Sequence, residues 1–119
     1  MKMLNQSVID YFDGIESYSA CKTHGEQNAR RAYLHTTRQK ASMFAVQEIP
    51  SVIDVPDFVH SLRKAGVSEI ALISVTGDFM NVLKAMENAG CRIMGIVSVT
   101  YQDDCGDVMD ADTVNALGI

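Results

Sequence analysis

The residues best placed to do chemistry lie in the segment Ser74-Val75-Thr76-Gly77-Asp78. This segment ends a nearly continuous apolar run that begins at Ile70, and a helical pattern follows it. Ligands of α/β proteins bind where a strand ends and a helix begins, because the free amides of the first helical turn point outwards. We therefore predict a ligand site formed by Ser74, Thr76, Gly77, Asp78 and Asp54. The segment lacks the glycines and lysine of a phosphate-binding loop, and a simple helix cap at Thr76 or Asp78 is the alternative.

A second candidate surface is basic. Residues 22–40 contain five Lys or Arg residues and one Glu. A nucleic-acid-binding helix has this composition, and so does a solvated helix face. The candidate contacts are Arg30, Arg31, Arg38 and Lys40. A third interpretation is that the acidic C-terminal segment folds back onto these same residues.

Other chemistries have little support in the sequence. Cys21 and His24 have the spacing of metal ligands, but structural zinc requires four ligands and the remaining histidines and cysteines are scattered. The acidic segment 103–112 does not place oxygen ligands at the positions that a calcium loop requires. We predict no catalytic residues, no metal and no cofactor.

Composition restricts the class of protein. With 119 residues, 47% of them hydrophobic and 21% charged, the chain is the size of one ordinary globular domain, which excludes collagen-like and wholly disordered proteins. The odd number of cysteines, three, favours a reducing, cytoplasmic setting, and no apolar run is long enough to span a membrane. The five Asp residues of segment 103–112 account for the net charge of −5, because the other ten acidic residues balance the ten basic ones.

Hydrophobic spacing predicts the elements that position these residues. An amphipathic helix is expected over residues 3–18, and a capping box at Thr23 and Glu26 predicts a second helix to Lys40. The predicted strands are 43–49, 70–75 and 92–101. Two further helices are predicted, one from Asp54 to Gly66 and one from Asp78 to Gly90. Residues 1–101 are predicted to form a single domain, followed by a loosely ordered acidic tail at 102–119.

The alternation of strands and helices predicts an α/β fold of the βαβαβ type. Its sheet has three mainly parallel strands in the order 1-2-3, with both crossover helices on one face. The two N-terminal helices cover the other face, which gives a three-layer α/β/α architecture. A second copy of the chain is the alternative cover, and we predict a homo-oligomer.

Residues 53–96 resemble the second half of a NYN/PIN-like nuclease domain, in which a strand ends in a Ser-Gly-Asp-x-Asp-Phe segment that helps to hold a metal. Ser74, Asp78 and Phe79 match this segment, and Thr76 replaces its first Asp. The opening strand of that family, with its Asp and Asn, has no counterpart in residues 1–42. The resemblance implies a degenerate metal-dependent ribonuclease.

Residues 21–26, 29–32, 57–67, 90–91 and 98–100 resemble small uncharacterised proteins encoded on mobile elements of gut Firmicutes. This resemblance implies a bacterial protein and carries no activity with it. The function predicted first is therefore a non-enzymatic interaction or regulatory protein of a mobile element, with a possible protein partner. The alternatives are a small-ligand or nucleotide binder and a nucleic-acid-binding module.

Overall fold

Helices and strands alternate along most of the chain in a computed structural model that describes residues 5–15, 18–73 and 78–119. The helices are α1 (Gln6–Asp13), α2 (His24–Arg38), α3 (Val55–Ala65) and α4 (Phe79–Asn88). The strands are β1 (Ala45–Val46), β2 (Glu69–Leu72), β3 (Arg92–Gln102) and β4 (Val108–Gly118). Short 3-10 turns occur at Tyr18–Ala20 and Val52–Asp54. No helix in these ranges is long and apolar enough to cross a membrane.

The sheet is mixed, with its strands in the order β1-β2-β4-β3. β1 and β2 are parallel as predicted, but β4 runs antiparallel to both of its neighbours. The predicted three-stranded, mainly parallel sheet is therefore wrong. The expectation of a loosely ordered tail is corrected by the same finding, because residues 108–118 form the strand that lies between β2 and β3.

All four helices contribute to one core on one face of the sheet. α3 contacts α1, α2 and α4, while α2 also packs on β1 and α4 packs on β3. Phe12, Phe58 and Met86 from three of the helices meet Ile70 and Leu117 from the sheet in this core. The N-terminal helices therefore lie on the same side as the crossover helices, and the predicted three-layer architecture is wrong.

The other face of the sheet is covered by the curl of the sheet itself. Its buried residues are small or β-branched: Ala71, Val99 and Val114. The amide of Ser42 donates to the carbonyl of Thr100 at 2.9 Å, and the amide of Gln102 donates to the carbonyl of Gln39 at 2.7 Å. Because the chain just before β1 thus reaches the far end of β3, the sheet closes into a half-barrel. A second helix layer is unnecessary.

Local signals place the helix ends. Thr23 Oγ1 accepts a hydrogen bond from the amide of Glu26 at 3.1 Å, so the predicted cap of α2 is confirmed. Gly66 ends α3 with a φ of +94°, the left-handed conformation expected of a C-terminal glycine. α1 is shorter than predicted, because it begins after Asn5, whose side chain caps it, and ends before Gly14.

α2 and α3 approach each other closely at Gly25, which is buried. A Cβ at this position would lie 2.6 Å from Asp57 Cβ and 2.7 Å from the Asp54 carbonyl oxygen, and closer still to the amide nitrogen of Phe58. Two of these three neighbours are main-chain atoms, which cannot rotate away. Only glycine permits this helix contact.

We expect Gly25→Ala to lower the free energy of unfolding by about 1–3 kcal/mol, because the added methyl group forces α2 and α3 apart. Urea unfolding at equilibrium measures this loss. His24→Ala, an exposed change in the same helical turn, is the control and should stay within about 0.5 kcal/mol of the parent protein. Equal stability of the two variants would contradict the close approach.

The outer edge of β1 is completed by a side chain. Thr36 on α2 is buried, and its Oγ1 accepts from the amide of Ala45 at 2.9 Å. The single hydroxyl proton has two carbonyl oxygens within reach, that of Ala32 at 2.8 Å and that of Ala45 at 3.2 Å. The hydroxyl thus takes the place that a neighbouring strand would otherwise fill. β1 therefore presents no unpaired amide at Ala45.

We expect Thr36→Val to cost about 1–3 kcal/mol of stability, because it leaves the buried amide of Ala45 without a partner. Thr37→Val is the matched control. Thr37 is exposed, and its hydroxyl bonds only to the carbonyls of Tyr33 and Leu34 in its own helix. Denaturant unfolding should separate the two variants, and a loss at Thr37 as large as that at Thr36 would contradict this role.

Candidate interaction surface

The predicted ligand site is only partly described. Ser74, Thr76 and Gly77 lie outside the described residues. Asp78 is exposed just before α4 and makes no side-chain cap. Asp54 stands at the N-cap position of α3, but its carboxylate accepts from Ser51 Oγ at 2.8 Å instead of from a helix amide. The site stays a prediction, and within the described ranges no group of three or more His, Cys, Asp and Glu could hold a metal ion.

Two of the four basic candidates have partners inside the fold. Arg30 Nε donates to the carbonyl of Ile15 at 3.2 Å, which ties α2 to the chain that follows α1. Arg31 forms an ion pair with Glu48 at 2.9 Å. Arg38 and Lys40 are exposed at the C-terminal end of α2. A nucleic-acid surface made by all four residues stays a prediction.

The beginning of the acidic segment does meet the end of the basic helix, but through the main chain. The hydrogen bond from the Gln102 amide to the Gln39 carbonyl brings the β3–β4 turn beside the C-terminus of α2. Within the turn, Asp103 Oδ1 accepts from the amides of Cys105 and Asp107, both at 2.9 Å. The Asp103 carboxylate thus stabilises its own turn.

The thiols of Cys21 and Cys91 are not activated. Cys91 is buried, and burial raises the pKa of its thiol. Burial also raises the pKa of Cys21, and the nearby Glu26 carboxylate adds to that effect. Because the thiolate is the nucleophile, a raised pKa makes both thiols less reactive.

Two side-chain hydrogen bonds hold α1 against α2. Tyr33 Oη donates to Asp13 Oδ1 at 2.9 Å, and the Tyr33 ring stacks on Phe12 with 4.9 Å between ring centroids. Tyr11 Oη donates to Glu26 Oε2 at 3.2 Å. Burial, and then the hydrogen bond to Asp13, raise the pKa of Tyr33 from 10.0 to about 12. Each phenol is therefore a structural donor in its protonated form.

Exposed apolar side chains lie along the first half of β3 and on α4. Met80 is 71% exposed, Ile93 45%, Met94 50% and Ile96 61%. β3 is the last strand of the sheet, and α4, the helix that packs on it, is the last helix of the layer. We call this surface the β3 flank: residues 92–97 of β3 with Met80, Lys84 and Glu87 of α4.

Helical spacing explains which side of α4 belongs to the flank. Phe79, Val82, Leu83 and Met86 point into the core. Ala85 and Ala89 are partly buried against the core on the side of α3. At 100° per residue, Met80, Lys84 and Glu87 fall on the opposite side, and all three are exposed.

Comparison with known protein families places this chain in a family. The model of a family described as Domain of unknown function (DUF7698) matches residues 28–117. The chain belongs to this DUF7698 family. No curated protein and no solved structure matches it. The matched DUF7698 region runs from α2 into β4, so it includes the strand that sequence analysis treated as a tail and the whole β3 flank.

The β3 flank of this DUF7698 chain was not predicted from the sequence. The run 92–101, which is apolar on both faces, predicted only a strand. Ile93 and Ile96 are exposed because β4 takes the inner position and leaves β3 at the edge. The signal that could have found the flank is the alternation in 108–118, where Val114 and Ala116 lie on one face and Leu117 on the other.

We expect the stabilisation by Tyr33 to be lost at alkaline pH. Because its pKa is higher in the folded chain than in the unfolded one, its contribution is complete below pH 10 and disappears as the pH rises through about 12. Tyr33→Phe should therefore be less stable than the parent protein by about 1 kcal/mol near neutral pH. The difference should shrink steadily between pH 10 and 12. Urea unfolding of both proteins across this range measures it, and a constant difference would contradict the assignment.

Proposed function

We propose that this DUF7698 protein is a non-enzymatic interaction protein that binds a protein partner along the β3 flank. The observation that carries the proposal is the exposure of Ile93, Met94 and Ile96 on an edge strand. Contiguous apolar side chains on a surface are typical of binding sites, because leaving them in water is costly.

Backbone groups at the other edges of the sheet already have hydrogen-bond partners, and this supports the proposal. The hydroxyl of Thr36 satisfies β1 at Ala45, and residues 39–42 pair with β3 from Thr100 to Gln102. Among the described residues, no strand lies beside the outer side of residues 92–97. Edge backbone groups are a template for an added strand, a common way of binding an extended peptide.

The side chains of β3 would add to such binding. Ile93 pairs with Leu117 and Ile96 with Asn115, and a register shift at Met94 puts both isoleucines on the helix side of the sheet. There they lie below the outer side of α4. A strand added to β3 would therefore bury both isoleucines and gain main-chain hydrogen bonds at the same time.

The setting of this role is also a proposal. The resemblance to small proteins of mobile elements supports a bacterial accessory or regulatory protein of such an element. The odd number of cysteines supports a cytoplasmic location. Neither changes the surface that binds.

A labelled peptide of residues 92–98, with lysines appended for solubility, tests the surface. We expect saturable binding by fluorescence anisotropy and slower amide exchange confined to residues 92–97. Ile96→Lys should weaken binding by about tenfold or more, because it puts a charge into the strand interface. Ile53→Lys is the matched control, since Ile53 is 83% exposed on the 3-10 turn at Val52–Asp54.

The Ile53 variant should bind as the parent protein does. Absence of peptide binding, or an equal loss in both variants, would contradict the proposed surface. Circular dichroism of both variants checks that the fold is intact, which is expected because both side chains are exposed.

A further inference from the structure

We propose that the partner on the β3 flank is a second copy of the same chain, related by a two-fold axis perpendicular to the sheet. This inference rests on the proposed binding surface and goes beyond it by naming the occupant. In such a dimer, β3 pairs antiparallel with β3 of the other copy, and the sheet continues from one copy into the next.

The sequence of the edge suits this symmetry. With the axis between Met94 and Gly95, Ile93 of each copy lies opposite Ile96 of the other. Residues 93–97 carry no charge, and Arg92 lies opposite Val97, so no like charges face each other along the strand. The four isoleucines form one apolar strip on the helix side.

The same axis brings α4 against α4. α4 is the outermost helix, and as a crossover between parallel β2 and β3 it runs antiparallel to β3. The midpoint of Lys84 and Glu87 is about 4 Å from the end of the helix, and the midpoint of Met94 and Gly95 is about 8 Å along β3. Both midpoints therefore lie close to the turn that joins α4 to β3, at the same end of the flank.

Charge complementarity selects a second copy over an unrelated partner. Lys84 and Glu87 are both exposed on the outer side of α4 and lie three residues apart. Across an antiparallel two-fold contact, Lys84 of each copy faces Glu87 of the other, so the dimer contains this pair twice. Met80 adds apolar surface at either end of the helix contact.

The interface is of limited extent. Six edge residues span about 20 Å, and one side of a ten-residue helix adds about 15 Å. A contact of this length buries less surface than a permanent dimer needs. Association should therefore depend on protein concentration.

Sedimentation equilibrium of the full chain from micromolar to about 1 mM tests the proposal. We expect a monomer–dimer equilibrium that Ile96→Lys shifts to monomer and Ile53→Lys leaves unchanged. Lys84→Glu and Glu87→Lys should each raise the dimer Kd by roughly tenfold, because each sets like charges against each other. The double variant Lys84→Glu/Glu87→Lys should return to within about threefold of the parent Kd, because it restores both pairs.

Three outcomes would overturn the inference: a monomer at every concentration, a dimer insensitive to Ile96→Lys, or a double variant no tighter than the single ones. If the chain binds the peptide but stays monomeric, the proposal that the partner is a second copy is wrong, and the proposed binding surface remains. Loss of both peptide binding and dimer would overturn the two together.

Discussion

The insertion of β4 between β2 and β3 is the constraint on which the rest of this fold depends. One edge of β4 pairs with Glu69–Leu72 and the other with β3 along its length. Leu117 thereby enters the helix-side core, while Val114 packs inside the half-barrel. Without β4, no strand would join β2 to β3, and both the helix-side core and the core inside the half-barrel would lose side chains.

The elements that sequence analysis placed correctly are those with local causes. The cap at Thr23 and the left-handed turn at Gly66 act within a few residues, so their effect can be seen in the sequence itself. The place of β4 beside β2 depends on pairs that are distant in sequence, such as Glu69 with Gly118, and the acidic residues of β4 are typical of an exposed segment. Because residues 102–119 were predicted as a tail, the predicted strand order was wrong and a second layer of helices was predicted to cover the sheet.

The β3 flank shows that the burial of a side chain, like the position of a strand, cannot be predicted from residue type alone. Residue type predicted that Ile93 and Ile96 belong to a strand, and this was confirmed, but the extent of their burial depends on where that strand lies in the sheet. Arg30 is the opposite case. Its charge suggested a surface for nucleic acid, whereas its guanidinium bonds to the carbonyl of Ile15 and joins α2 to the chain that follows α1. Composition identifies what a side chain can do, and the topology decides which neighbours it meets.

The place of β4 in the chain has a consequence for synthesis. β2 and β3 leave the ribosome before β4, so for a time each has an unpaired edge and the apolar residues Ile70 and Leu72 have no finished sheet around them. Nascent chains with open strand edges are prone to associate with one another. The nascent chain therefore depends on rapid arrival of β4 or on protection by chaperones, and its yield should respond to the rate of translation through residues 103–118.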